Sequence, residues 1–111
     1  MEDIIKVIIK PEHFRDASAG YAHNWKDGKE TPCVLEVALA EMFPEKALWV
    51  GRYKVSIHAQ RYNIPLEAWG DESGPYSPRI INKLSEKAKG SLDGIPTVEI
   101  TLTKIPADSD N

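Results

Sequence analysis

Two stretches of this chain open with a hydroxyl residue and a proline, then repeat apolar residues at three- and four-residue spacing. In the first, Thr31 is positioned to cap, Pro32 takes the first helical position, and Leu35, Ala38, Leu39 and Met42 form an apolar stripe before Pro44 stops the helix. In the second, Ser77 caps, Pro78 follows, Ile81, Leu84 and Ala88 form the stripe, and Gly90 ends it. Proline loses nothing in a first turn, where its missing N–H has no helical partner, so both starts read as helix N-termini. A chain that carries two such helices must supply something for their apolar faces to cover.

The segments around them alternate with a period of two, the strand signature. Residues 3–10 put Ile5, Val7 and Ile9 on one face and Ile4, Lys6 and Ile8 on the other. Leu48 and Val50, then Val55, Ile57 and Ala59, flank Gly51 as two short strands of a tight hairpin. Near the end, Val98, Ile100 and Leu102 alternate with Thr97, Glu99, Thr101 and Thr103. The expected class is therefore α+β, in the order β-α-β-β-α-β. A ferredoxin-like sheet with both helices on one face is the simplest arrangement, because right-handed crossovers favour it. The 111 residues suit one domain, expected over 1–105, with a polar tail at 106–111.

Composition narrows the classes of function. A formal net charge of −3 argues against bulk attraction to nucleic acid or anionic membrane. The single cysteine, Cys33, excludes an intrachain disulfide and a four-cysteine zinc site. The start MEDIIKVIIK lacks the basic opening and long apolar run of a signal peptide, and nothing approaches a membrane span, so a cytoplasmic protein is expected.

In a ferredoxin-like sheet the first and third strands lie side by side and parallel, so the connections leaving them, 11–30 and 60–76, emerge at one rim. These are the two long connections, and they hold Phe14, Tyr21, Trp25, Tyr62, Trp69 and Tyr76. Both helices are expected to begin at the same rim, with Arg15, Lys26, Lys29, Arg61 and Arg79 near in sequence. Aromatic plates, cations and helix N-termini together suit a flat anionic ligand. The residues expected to bind it are Arg15, Tyr21, Trp25, Arg61, Trp69 and Arg79. The competing reading makes the aromatics a satellite core that pins the loops.

Other constellations are thinner. Cys33, near a helix N-terminus and pointing toward Glu36, Val37 and Ala40, is the one candidate nucleophile, with His13, His23 or His58 as a base. The spacing of His13, His23 and Cys33, even with Asp16 or Asp27, is not that of a zinc site, so no metal is expected. Glu67, Asp71 and Glu72 fall in the turn-rich WGDESGP, where acids cap turns. No glycine-rich phosphate loop or zinc-protease helix motif occurs, and no cofactor is expected. Arg79, Lys83 and Lys87 form a basic helix stripe of the kind that usually faces solvent. The sheet face carrying Ile4, Lys6 and Ile8, with Lys54, Ser56 and His58, lacks the aromatics of an RNA-reading sheet. With Trp49 it is apolar enough to suggest an interface through Ile4, Ile8 and Trp49, for a homodimer or a partner protein.

The segments CVLEVALAEMF, VGRYKVSI and LDGIPTVEITL, about half the chain, resemble short uncharacterised accessory proteins of bacteria and bacteriophages. That resemblance implies an accessory or mobile-element context, in which many proteins bind and inhibit something, and it assigns no site residue. The leading expectation is a non-enzymatic binding or inhibitor module that sequesters a small anionic ligand or blocks a partner protein. The alternatives are a small enzyme using Cys33 or a loop histidine, and an assembly protein that oligomerises through its open sheet face.

Overall fold

The computed structural model describes residues 3–17, 24–26, 29–31 and 33–106, with 24–26 and 29–31 described by backbone alone. Along the chain come β1 (Ile4–Ile9), α1 (Pro11–Asp16), β2 (Asn24–Lys26), β3 (Lys29–Thr31) and α2 (Val34–Met42). Then follow β4 (Leu48–Val50), β5 (Lys54–Ile57), β6 (Gln60–Asn63), α3 (Pro78–Gly90) and β7 (Val98–Lys104). The fold is α+β. A five-stranded sheet has the order β1-β7-β6-β5-β4 with every pairing antiparallel, and β2 and β3 form a separate two-stranded hairpin.

The ferredoxin-like order is not what is seen: α1, the β2–β3 hairpin and β6 are additional elements, and β1 stands at a sheet edge rather than beside a parallel third strand. The chain leaves β5 through His58 and Ala59, both with positive φ (51° and 71°), and turns straight back into β6. Two consecutive left-handed residues make the tight turn whose twist matches a β-hairpin, a job ordinarily given to Asn-Gly. β6 takes the place beside β7, so β1 is left at the sheet edge, paired with β7 alone. Ala59 is therefore a turn residue, and His58 lies in the turn rather than on the sheet face. The connection expected over 60–76 begins with this strand, and the one expected over 11–30 contains α1 and the β2–β3 hairpin.

The strand alternation does set the core. Ile5, Val7 and Ile9 meet Leu102, Ile100 and Val98 in register, all buried, while Ile4, Lys6 and Ile8 face outward. Val50, Val55, Ile57 and Tyr62 extend the buried face, and Val34, Leu35, Ala38, Leu39, Ile81 and Ala88 cover it from the helices. Met42, expected in the buried stripe, is 40% exposed at the end of α2.

α1 has only six residues, too few to hold itself together in water. Its tertiary ties explain it. Glu41, in the last turn of α2, accepts from Lys10 Nζ at 2.8 Å and is 3.0 Å from His13 Nε2. Lys89, in the last turn of α3, donates to the carbonyls of Arg15 and Ala17 at 3.4 and 2.8 Å. A cation on the carbonyl end of a helix is favourable.

Candidate functional site

Those ties decide where the candidate residues go. Because the last turns of α2 and α3 sit against α1, their N-termini are carried away from it. Arg79 precedes Lys89 by ten residues, roughly 15 Å along the helix axis. Arg15, which Lys89 reaches, and Arg79 thus lie at opposite ends of α3, and Arg15 is itself paired with Asp16 at 2.9 Å. Arg61 alternates with buried Tyr62 on β6, so it stands on the sheet face away from the core. Tyr21 and the side chain of Trp25 lie outside the described residues. Three of the cations expected at one rim are therefore spread over three parts of the molecule.

Three of the expected aromatics, Phe14, Trp69 and Tyr76, do converge, and they converge inward. Trp69 is 2% exposed, with its ring centroid 6.1 Å from Phe14 and 6.0 Å from Tyr76, the latter pair stacked. β1 and β6 both run antiparallel to β7 and hence in the same direction, and this cluster joins the segments that follow them. The 64–77 segment is further fixed by Trp69 N–H on the Pro65 carbonyl (3.0 Å) and Gly70 N–H on the Tyr76 carbonyl (2.8 Å). Gly70 has φ 92°, a conformation that disfavours a side chain. The Asp71 carboxylate accepts from Ser73 N–H at 3.1 Å, which makes it a turn cap.

Cys33 caps α2, and its Sγ accepts from Glu36 N–H at 3.4 Å. The side chain is fully buried, not turned outward toward solvent, and desolvation pushes its pKa up to about 11 despite the favourable backbone N–H. The helix starts two residues later than expected: Cys33 rather than Thr31 is its N-cap, and Thr31 ends β3. His13 is buried as well: its Nδ1 accepts from Lys10 N–H at 2.8 Å, so Nε2 carries the hydrogen that faces Glu41. Both ring nitrogens are thereby used within the fold. Lys10 and then His13 hold the Glu41 carboxyl below the usual carboxylate range. His23 and Asp27 lie outside the described residues, and among those described no group of three His, Cys, Asp or Glu is placed to hold a metal.

What the sequence did not reveal is a surface cavity of about 730 Å³ along the N-terminal half of α3. Ser77, Pro78, Arg79, Asn82, Lys83 and Glu86 line it from the helix, and Glu72 from the preceding loop. Arg79, Lys83 and Glu86 fall at four- and three-residue steps, one helix face. Neither Arg79 nor Lys83 forms an ion pair among the described residues. The basic stripe of the sequence contains both cations; the glutamate that closes the far wall comes from a turn, which periodicity does not register.

The outer sheet face carries Ile4 (53% exposed) and Ile8 (37%) on β1, and Trp49 (58%) on β4. β1 and β4 are the two edges, with three strands between them. Thr101, Thr103, Arg61, Asn63, Lys54 and Ser56 occupy the middle, so the three apolar residues are separate patches on one face. No helix among the described residues is long and apolar enough to cross a membrane. Against protein-family models, curated proteins and solved structures the chain has no match.

Proposed function

We propose that the chain is a non-enzymatic binding module that takes a small anionic ligand in the α3 groove. One observation carries the reading: Arg79 and Lys83, adjacent on one helix face, line a ligand-sized cavity without a carboxylate partner among the described residues. Glu72 and Glu86 on the same walls make the groove charge-balanced. They favour a compact ligand that carries a cationic or hydrogen-bond-donating group beside its anionic one, and they disfavour a polyanion. Sequestering such a ligand is in keeping with the accessory role that the bacteriophage resemblance implies. The enzymatic alternative is weakened by the burial of Cys33 and the engagement of both His13 nitrogens.

Phosphoserine, which pairs a phosphate with an ammonium group, and inorganic phosphate are suitable probes for a titration followed by amide chemical shifts. Shifts should concentrate at Glu72 and residues 77–86, be stronger with phosphoserine, and vanish in the Arg79→Ala/Lys83→Ala double variant. Shifts scattered over the surface, or unchanged in that variant, would refute the groove as a site.

A further inference from the structure

We propose that the outer edge of β1 is a docking strand for an extended acidic segment of a partner protein. Lys104 N–H donates to the Asp3 carbonyl at 2.8 Å, and Asp3 precedes β1 in the same register. In an antiparallel ladder, hydrogen-bonding direction alternates residue by residue, so Ile5, Val7 and Ile9 turn their backbone groups toward β7. Ile4, Lys6 and Ile8 turn theirs the other way, and no strand among the described residues pairs with them. Lys10, next in that outward row, already gives its N–H to His13 Nδ1, which closes the row at its C-terminal end. What is left is three donors and three acceptors in an extended line, the template that strand addition uses.

The side chains along this row specify the occupant. Ile4 and Ile8 are exposed on either side of Lys6, and Lys6 has no ion pair among the described residues. A second copy of the chain fits poorly. The symmetric antiparallel pairing that uses the whole row sets Lys6 against Lys6, and directly opposed like charges are destabilising. A strand of another protein with a carboxylate opposite Lys6 and apolar residues opposite Ile4 and Ile8 satisfies both the charge and the apolar positions. Lysine on an edge strand normally blocks pairing; here it blocks the copy and selects the acidic partner. The pattern is apolar, any, acidic, any, apolar, with the intervening residues on the helix side, where Ile5, Val7 and Ile9 are already buried.

Two capped peptides, TVTETVT and TVTKTVT, test this against the intact chain by fluorescence anisotropy and amide hydrogen exchange. The glutamate peptide should bind about tenfold more tightly than the lysine peptide, as replacing an attractive cross-strand pair by a repulsive one implies. The preference should invert in Lys6→Glu, and the amides of Ile4, Lys6 and Ile8 should gain protection. Arg79→Ala should leave this binding unchanged, which separates it from the α3 groove. Equal affinity for the two peptides, a preference unaltered by Lys6→Glu, or protection that appears elsewhere would overturn the proposal. Self-association that protects the same amides without peptide would overturn it too.

Discussion

Cys33 offers the sharpest test of whether the chain has a usable nucleophile. Its ordinary thiol pKa of 9.0 is raised to about 11, chiefly by burial. A gap of two units means about a hundredfold less thiolate at neutral pH, and thiolate is the species that alkylates. Access adds a second factor, since the side chain is sealed and reagent must wait for opening. For a domain with stability of only about 5 kcal/mol, global opening is populated at roughly one part in several thousand. Iodoacetamide labelling at neutral pH, followed by intact mass, should be slower than in guanidinium by about a thousandfold or more. Labelling of the native protein within about tenfold of the unfolded rate would mean a reachable thiolate, and the reasoning from burial would fail.

The same burial predicts a pH dependence of stability. Desolvation disfavours the charged thiolate in the folded state alone, so the folded pKa lies above the unfolded one. The stabilising contribution is complete below pH 9 and is lost as pH climbs toward about 11, a swing of ~3 kcal/mol. Tyrosines and lysines titrate in that window too, so the comparison is with Cys33→Ala, whose denaturation free energy should fall less steeply over it. The variant also loses the cap on Glu36 N–H, about 1 kcal/mol at neutral pH. Parallel curves for the two proteins between pH 9 and 11 would refute the assignment.

Other substitutions probe the fold that places the two surfaces. Ala59→Gly should stabilise by about 1 kcal/mol in chemical denaturation, because glycine adopts its positive φ without the Cβ penalty; a loss would mean that the turn is not as described. Ser85 is buried in α3 with no partner for its hydroxyl among the described residues. Ser85→Ala should therefore be neutral or stabilising by up to about 1 kcal/mol, and a clear destabilisation in the same assay would reveal a hidden partner. Trp69→Ala should cost ~3–5 kcal/mol by opening the contacts to Phe14 and Tyr76, read as a drop in denaturation midpoint. Glu41 has its pKa lowered by Lys10 and His13, so its contribution is present above the ordinary carboxylate pKa and is lost as pH falls through the folded value. Glu41→Gln should accordingly flatten the acid limb of the unfolding curve, and an unchanged limb would show that the contacts carry no net stability.

The legible parts of the fold were those whose burial is one-sided. β1, β7 and α3 each present apolar residues at the period of their own geometry, and the core takes those faces. β6 was missed because Gln60-Arg61-Tyr62-Asn63 gives alternation a single large apolar residue, and because His58-Ala59 carries none of the Asn-Gly signal of a tight turn. α1 was missed for a different reason. Six residues cannot be helical on local preference, and Glu41 and Lys89, which hold them, are 30 and 70 positions or so away in sequence. The rim went astray with these two omissions: Phe14, Trp69 and Tyr76 of the grouped aromatics meet, but a short helix and a strand turned them inward and separated the cations.

That separation decides which polar groups stay open to solvent. Catalysis by acid–base or nucleophilic chemistry needs a polar group that is both desolvated and open to substrate. Of the buried polar side chains described here, Ser77 caps α3, accepting from Ile80 N–H at 3.4 Å, His13 ties α1 to α2, and Ser85 is sealed inside the core without a partner among the described residues. Arg79 and Lys83 on α3 and the outward backbone groups of Ile4, Lys6 and Ile8 on β1 are exposed instead, and they have no partner among the described residues. In the two proposals above these groups recognise, one by charge in a groove and the other by hydrogen bonds along an edge. Since α3 packs on the covered side of the sheet and β1 closes one edge, occupation of one surface need not displace what occupies the other.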